Sequence, residues 1–315
     1  MRLLVLGTAA GGGVPQWNCA CAGCAAARAD PSLRRRHASI AVEAEPGRWY
    51  IVNATPDIGE QIEENPVLHP GPRSGEGPTP HTPRNDQERR STPVAGVILT
   101  DAELDHTLGV PRLREASGLR IAATGTVRAA LSDSLRLDAV LGPYAGVSWV
   151  ALPEKGPEPL DGGPLEIQGV RVSGKRPRYA AQMEAPDGDS WVVALHVRDR
   201  RGGGSVVYAP ALADWPDAFD RLVADAGCVI VDGTFWDDDE PRRAGFTERT
   251  STQMGHLPIT GPGGTAERLA GLPAAHRLYT HLNNTNPLVD PDDAGHRRLA
   301  AAGIEVAREG TVIEV

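Results

Sequence analysis

The feature that most constrains this chain is the repeated placement of acids and histidines directly after short apolar strands. Val97-Ile98-Leu99-Thr100 has the composition of a buried strand and runs into an acid-rich stretch, and polar residues also follow strand patterns that end at Val52, Val231 and Thr280. Layered α/β folds build their sites at the carboxyl ends of strands. We therefore predict two sheets packed face to face, helices outside them, and a site at the strand ends.

Composition excludes several classes of protein. The chain has 315 residues, a formal net charge of −9 and a pI near 5.5. Its average field repels polyphosphate and acidic headgroups, so we expect no nucleic-acid or membrane partner. The opening Met1-Arg2-Leu3-Leu4-Val5-Leu6-Gly7 is too short for a signal peptide and is interpreted as a first strand of a cytoplasmic protein.

Two segments look exposed or turn-like. Between about 66 and 93 the chain is rich in Pro, Gly, Ser, Thr and charge and includes His69 and His81, which predicts a polar surface loop that could cover a site. The glycine-rich turn Gly7 to Pro15 is neither G-x-G-x-x-G nor a P-loop, so no nucleotide cofactor is predicted.

Two further patterns make local predictions. Thr126 to Leu137 has the periodicity of one amphipathic helix. Pro164 to Val172 alternates apolar and polar residues around Gly169, as a hairpin does.

Three of the four cysteines are crowded into six residues. Cys19, Cys21 and Cys24 stand at C-x-C-x-x-C spacing, so their thiolates can converge on one ion and leave a fourth position for a distant ligand. The alternative is a set of free buried thiols. Cys228 lies in an apolar run and is interpreted as a core residue.

The central stretch offers a second set of ligands. Asp105 and His106 supply one hard oxygen and one imidazole nitrogen, which suit a first-row transition metal. The alternative is a helix N-terminus whose acids complement the helix dipole. Asp57, Asp232 and His281 also follow strand patterns, and His256 follows a polar loop.

Taken together, these pieces resemble the metallo-β-lactamase superfamily and, within it, the pyrroloquinoline quinone (PQQ) biosynthesis protein B family. The matching segments are Gly7 to Cys19, Asn53-Ala54-Thr55-Pro56-Asp57-Ile58, Thr100 to Gly109, Val231-Asp232-Gly233-Thr234, Met254-Gly255-His256 and His281-Leu282-Asn283-Asn284-Thr285-Asn286-Pro287. The resemblance implies an α/β fold of the αββα sandwich type, with two mixed sheets and outer helices, and a single domain over residues 1–315.

The superfamily carries H-x-H-x-D-H at the central turn, and this chain has Asp101 and Glu103 in place of the first two histidines. Asp105 and His106 match the motif, and His281 matches the last metal-binding histidine. The resemblance therefore implies a single ion held by two histidines and one carboxylate, a set that suits non-haem Fe(II), with zinc as the metal found on purification. Tyr208-Ala209-Pro210 stands where the bridging aspartate would fall and supplies none.

The resemblance also implies roles around that ion. Relatives use the C-x-C-x-x-C loop for a structural zinc; its fourth ligand stays open here, where the corresponding region reads Asn283-Asn284. His256 is a fourth ligand of the active-site metal, a residue that orients Asp105, or an acid/base for the substrate. The residues that we expect to orient substrate or move protons are His256, Asp101, Glu103 and Asp232.

The implied activity is a step of PQQ biosynthesis: hydroxylation, with iron and O₂, of the tyrosine ring of a small-molecule precursor derived from Glu and Tyr. Its carboxylates need a cation, for which Arg112, Arg114 and Lys175 are candidates. One rival is a metal-dependent hydrolase with Asp101 or Glu103 as unusual ligands. Another is a carrier or transport factor that binds the finished quinone. The oligomeric state is left open, with a homodimer as the candidate assembly.

Overall fold

The computed structural model describes residues 1–71, 91–184 and 190–315. Most of the predicted polar loop, with His81, lies outside the described residues. In the described part, no helix combines the length and apolar character needed to cross a membrane.

Two sheets of seven strands form the centre of the fold, in the orders β14-β1-β2-β3-β4-β5-β6 and β13-β12-β11-β10-β9-β8-β7. The strands are β1 Arg2–Gly7, β2 Ser39–Glu45, β3 Arg48–Val52, β4 Val94–Ile98, β5 Leu119–Ala123, β6 Val147–Ala151, β7 Glu158–Pro159, β8 Leu165–Ser173, β9 Val192–Asp199, β10 Ser205–Ala209, β11 Cys228–Asp232, β12 His276–Thr280, β13 Glu305–Val306 and β14 Val312–Glu314. Each sheet is antiparallel on one side and parallel on the other.

The helices are short and connect the strands. They are α1 Ala22–Ala29, α2 Ile58–Glu63, α3 Leu104–Thr107, α4 Gly125–Ala129, α5 Leu137–Leu141, α6 Asp217–Ala224, α7 Glu240–Arg243, α8 Ser251–Met254, α9 Thr265–Ala270 and α10 Ala294–Ala301. Single 3-10 turns cover Pro31–Leu33, Pro66–Leu68, Val110–Leu113, Leu160–Gly162, Arg178–Ala180 and Pro287–Val289.

Alternating side chains of the strands build separate layers of core. In β1, Leu4 and Leu6 pack with Ile58 of α2 on the outer face, whereas Val5 packs in a cluster that includes Leu195 and Tyr208 of the other sheet. Successive side chains of a strand point to opposite faces, so both faces of β1 are buried. The predicted sandwich of two mixed sheets with helices outside is therefore present.

The two sheets are joined by contacts between the residues that follow β4 and the first residues of β9. Val193 of β9 donates its backbone N–H to the Thr100 carbonyl at 2.9 Å, and Asp101 bridges to Val192. Asn53 also holds Thr100 in place, because its Oδ1 atom accepts a hydrogen bond from the Thr100 backbone N–H at 3.0 Å. These contacts fix the stretch that follows β4, which carries the predicted ligands.

Two local predictions are wrong. Residues 164–172 form no hairpin; from Leu165 onward they belong to the single strand β8, in which Gly169 pairs with Leu195. A β-carbon at Gly169 would lie 3.0 Å from Leu152, so the glycine serves close packing and not a turn. The predicted helix Thr126 to Leu137 is broken, because a π-helical turn follows α4 and Arg136 is left-handed, with φ 57°.

Glu240 is a buried acid whose titration predicts a pH effect on stability. It accepts hydrogen bonds from the Thr285 hydroxyl and the Trp236 backbone N–H, yet burial raises its pKa from 4.5 to about 7. Folding is therefore penalised as pH rises from 4.5 through 7, by on the order of 3 kcal/mol.

We expect Glu240→Gln to remove this penalty. Denaturant unfolding should show the variant more stable than wild type at pH 8, with the difference nearly gone at pH 4.5, where the wild-type carboxyl is protonated in the folded state and half protonated in the unfolded state. An equal effect at both pH values would contradict this account of Glu240.

Candidate metal centre

Three side chains from two distant parts of the chain converge where β4 and β12 end. The Asp105 Oδ2 atom lies 3.3 Å from the His281 Nε2 atom and 3.7 Å from the His106 Nε2 atom. The three donor groups lie within 4.8 Å of one another. Ligands that share one ion through bonds of about 2.0–2.2 Å stand roughly 3 Å apart or slightly more. The spacing therefore fits a single shared ion.

His106 is held with one nitrogen bonded and the other free. Its Nδ1 atom donates to the Asp101 Oδ2 atom at 2.7 Å, and both side chains are 1% exposed. Its Nε2 atom is buried and has no hydrogen-bond partner among the described residues. A buried polar atom without a partner is rare because it is costly, and a metal ion would satisfy this one.

The charges around His106 are also consistent with a metal ion at its Nε2 atom. Burial opposes a charged imidazole, but the carboxylates of Asp101 and Asp105 outweigh it and raise the His106 pKa to about 9. The positive charge of His106 in turn holds the pKa of Asp105 well below its usual range, despite burial. Metal binding must displace the imidazole proton, so metal affinity falls as the pH is lowered.

His281 is presented by an unusual backbone and a relay of hydrogen bonds. It has a positive φ of 60°, which a non-glycine residue adopts at a cost and which is frequent at functional sites. Its Nδ1 atom donates to the Thr234 hydroxyl at 2.8 Å, and that hydroxyl donates to the Asp232 Oδ1 atom at 2.5 Å. Burial lowers the His281 pKa, so the imidazole is neutral and its Nε2 atom can bind a metal.

Asp232 and His256 form a second buried pair, which also has ligand-like spacing with His281. The Asp232 Oδ2 atom accepts from the His256 Nδ1 atom at 2.6 Å and from the Leu212 backbone N–H at 2.9 Å. Its Oδ1 atom accepts both the N–H and the hydroxyl of Thr234. All four hydrogen-bond positions of Asp232 are thus filled, and its carboxylate orients the His256 ring.

The predicted catalytic acids therefore lie in different places. Asp101 and Asp232 are fully buried behind histidines, at 1% and 0% exposure, whereas Glu103 is half-buried, with its Oε1 atom 3.8 Å from the Lys175 Nζ atom. Burial and the charges of Asp101 and Asp105 raise the Glu103 pKa, while Lys175 opposes them. The described residues include no hydrogen bond between His256 and Asp105.

Sequence reasoning missed Thr234 and His37. Thr234 lies in a matching segment, but the pattern indicates no role for it. His37 contacts Asp57 through its Nδ1 atom at 2.6 Å and the Gly11 carbonyl through its Nε2 atom at 3.2 Å. A β-carbon on Gly11 would lie 3.3 Å from Asp105. His37 thus supports the loop against Asp105, and the signal that could have found it is Asp57, which follows β3.

The three predicted cysteines also converge, around the start of α1. Asn284 completes the group: its side-chain nitrogen lies 3.2 Å from the Cys19 sulfur and 3.4 Å from the Cys21 sulfur. Burial and the neighbouring sulfurs raise the pKa of Cys24 to about 11, and a divalent cation would offset that cost. Cys228 is buried within β11, as predicted for a core residue.

Comparison with known proteins identifies the family of this chain. The beta-lactamase superfamily domain matches residues 48–282. Coenzyme PQQ synthesis protein B of Ruegeria pomeroyi is 38% identical over 99% of both chains, and that of Methylococcus capsulatus is 36% identical over 99% of both. The chain belongs to the coenzyme PQQ synthesis protein B family.

Solved structures support the family and the fold. The Zn²⁺-bound PqqB of Methylobacterium extorquens superposes with a TM-score of 0.84 and 33% identity, over all of both chains. A diphosphatase of the PhnP family superposes with a TM-score of 0.67 at 19% identity, over 100% of this chain and 98% of that chain, and shares the fold alone. The predicted metallo-β-lactamase sandwich is confirmed.

Proposed function

We propose that this member of the family is an enzyme of PQQ synthesis that hydroxylates the tyrosine ring of a Glu-Tyr-derived precursor with O₂. In this proposal Asp105, His106 and His281 hold one Fe(II). The observation that carries it is the convergence of two imidazole nitrogens and one carboxylate, with the buried His106 Nε2 atom lacking any partner among the described residues. Two histidines and one carboxylate with open positions suit Fe(II) and O₂.

When bound, the iron would supply the activation of O₂. One oxygen atom enters the ring in place of hydrogen and the other leaves as water, so the reaction also consumes two electrons from a small reductant and two protons. The chain's own residues would hold the metal and orient the histidines around it. Asp101 fixes the ring of His106, Thr234 fixes that of His281, and Asp232 fixes His256 through its Nδ1 atom. The Nε2 atom of His256 is then free to bind the metal or to move a substrate proton.

The geometry favours one ion over the two ions of a hydrolase. A second ion at the central turn would need Asp101 or Glu103 as a ligand, and one beside His256 would need Asp232, whose oxygens already accept four hydrogen bonds. The Asp101 Oδ2 atom already accepts from His106 at 2.7 Å and from the Thr100 hydroxyl at 2.9 Å. The zinc of the Methylobacterium extorquens protein is compatible with zinc occupying an iron site on purification, because imidazole and carboxylate bind both metals.

Anaerobic reconstitution with Fe(II) tests the proposal. We would then add O₂, a reductant and a diacidic tyrosine analogue, and record O₂ uptake and product mass for wild type, His106→Ala and the control His276→Ala. We expect uptake and a product heavier by one oxygen atom for wild type and His276→Ala alone. Hydrolysis supported by zinc, or tight binding of the quinone without turnover, would replace this proposal with the hydrolase or the carrier.

For the cysteine cluster, we propose a structural zinc with Cys19, Cys21, Cys24 and Asn284 as ligands. The oxygen and nitrogen of an amide are assigned from hydrogen bonding, and turning the Asn284 amide over directs its oxygen at the sulfurs. Tetrahedral zinc needs four ligands at a structural site. A cytoplasmic location stays a prediction. A homodimer stays a prediction.

Asn284→Ala should lower zinc content and stability. Removing one of four ligands weakens the metal that pins the loop of Cys19 to α1, so we expect the zinc to be lost to a mild chelator and the unfolding temperature to drop by several degrees. Asn18→Ala, which changes an exposed amide of the same loop, is the control and should retain zinc. Full zinc retention in Asn284→Ala would remove Asn284 from the ligand set.

A further inference from the structure

The structure separates the three cations that the sequence offered as partners for substrate carboxylates. Arg112 pairs with Glu60 at 3.5 Å, and Arg114 lies over the Tyr144 ring at 5.9 Å. Lys175 instead pairs with Glu103, in the loop that carries Asp105 and His106. Among the described residues, it is the lysine or arginine that forms an ion pair with the stretch from Asp101 to His106.

Lys175 spans the two loops that carry the candidate ligands and His256. Its Nζ atom lies 3.8 Å from the Glu103 Oε1 atom, two residues before Asp105. Its methylene chain packs on Gly255, where a β-carbon would lie 2.9 Å from the Lys175 Cδ atom. Gly255 has a φ of 89° and directly precedes His256. Lys175 therefore contacts both the loop that carries Asp105 and the residue before His256, and its side chain is 40% exposed.

The ion pair with Glu103 is loose. A distance of 3.8 Å is beyond hydrogen-bond length, and partly exposed ion pairs contribute little to stability. The surroundings are otherwise acidic, with Asp101 and Asp105 in the same loop. An anionic ligand would be repelled there unless a cation received it, and Lys175 keeps three N–H donors for that purpose.

We infer that Lys175 forms a carboxylate subsite at the mouth of the metal centre, where its ammonium exchanges Glu103 for a carboxylate of a small aromatic acid. The inference rests on the proposed function, because it assumes that the centre receives a small-molecule substrate. It adds the residue that receives a carboxylate of this substrate and the acid, Glu103, that competes for it. Glu103 competes with the ligand for Lys175, so a neutral side chain at position 103 should strengthen binding.

The test measures binding without turnover. Zn²⁺-loaded protein is titrated calorimetrically with a diacidic tyrosine analogue and with its uncharged diamide, for wild type, Lys175→Met, Lys175→Arg, Glu103→Gln and the control Arg112→Met. We expect Lys175→Met to weaken binding of the diacid about tenfold or more and to leave the diamide unchanged. Lys175→Arg should stay within about threefold of wild type, Glu103→Gln should bind the diacid more tightly, and Arg112→Met should change nothing.

Other outcomes would contradict the proposal that Lys175 binds a carboxylate. Equal weakening of diacid and diamide in Lys175→Met would mean that the lysine only maintains the loops, and no weakening in a folded variant would mean that it touches no carboxylate. If Lys175→Met does not fold, Glu103→Gln decides, because unchanged or weaker diacid binding there contradicts the competition. If the protein shows no iron-dependent O₂ uptake but still binds the diacid through Lys175, the proposed reaction is wrong. The carboxylate subsite at Lys175 is then still supported.

Discussion

Alanine in place of His106 is expected to empty the active-site metal position and abolish turnover. Losing a residue that merely orients a ligand typically costs about 10–100-fold in metal affinity, and losing the ligand itself should cost more. Metal analysis after gel filtration should show one ion fewer per chain than wild type, with the structural zinc retained. The metal affinity of Asp101→Asn should lie between those of wild type and His106→Ala. Its amide oxygen can still accept a hydrogen bond from the His106 Nδ1–H, but without the negative charge.

His276→Ala is the matched control for the metal content of His106→Ala. His276→Ala changes a partly buried histidine at the start of β12, outside the candidate ligand groups, and should keep full metal content. If His106→Ala binds iron as tightly as wild type, the buried Nε2 atom is not a ligand and the single-ion assignment fails.

Asp232→Ala is expected to have the largest effect on stability. The carboxylate is fully buried and accepts hydrogen bonds from the Leu212 and Thr234 backbone N–H groups, the Thr234 hydroxyl and His256. Its removal leaves these four donors unsatisfied, and because each buried unsatisfied donor costs about 1–3 kcal/mol, we expect a total loss of at least about 3 kcal/mol. Chemical denaturation of chelator-treated protein should show this loss directly, without the contribution of bound metal.

A matched change on the surface provides the control for Asp232→Ala. Asp225 follows α6 and is exposed, so Asp225→Ala should change the free energy of unfolding by less than about 0.5 kcal/mol. A loss below about 1 kcal/mol in Asp232→Ala would contradict the description of Asp232 as the acceptor that orients His256.

Much of the site could be predicted from the sequence, because strand ends are local features and metal ligands are few in kind. Asp105, His106 and His281 follow strands that the hydrophobic pattern reveals, and parallel neighbours such as β11 and β12 bring their carboxyl ends to one edge. The cysteine spacing likewise predicts convergence within a single loop. In each case a short pattern supplies candidate ligands, and the resemblance to the family selects Asp105, His106 and His281 among them.

The remaining contacts depend on pairings distant in sequence. Cys21 and Asn284 are 263 residues apart, and no local pattern indicates that they touch. Asp101 has the residue type of a ligand, yet the direction of its side chain is set by packing against His106. A single glycine such as Gly169 is typical of both a turn and close packing, and only the position of Leu152 decides between them.

Isotope labelling of the product tests the central claim most directly. Fe(II)-loaded protein would be given ¹⁸O₂, a reductant and the diacidic tyrosine analogue in unlabelled water, and the product mass would be measured. The account predicts one ¹⁸O atom in the aromatic ring, and none in His106→Ala. A hydroxylated product that carries ¹⁶O from water, or a product formed equally well without O₂, would contradict an iron centre at Asp105, His106 and His281 that uses O₂.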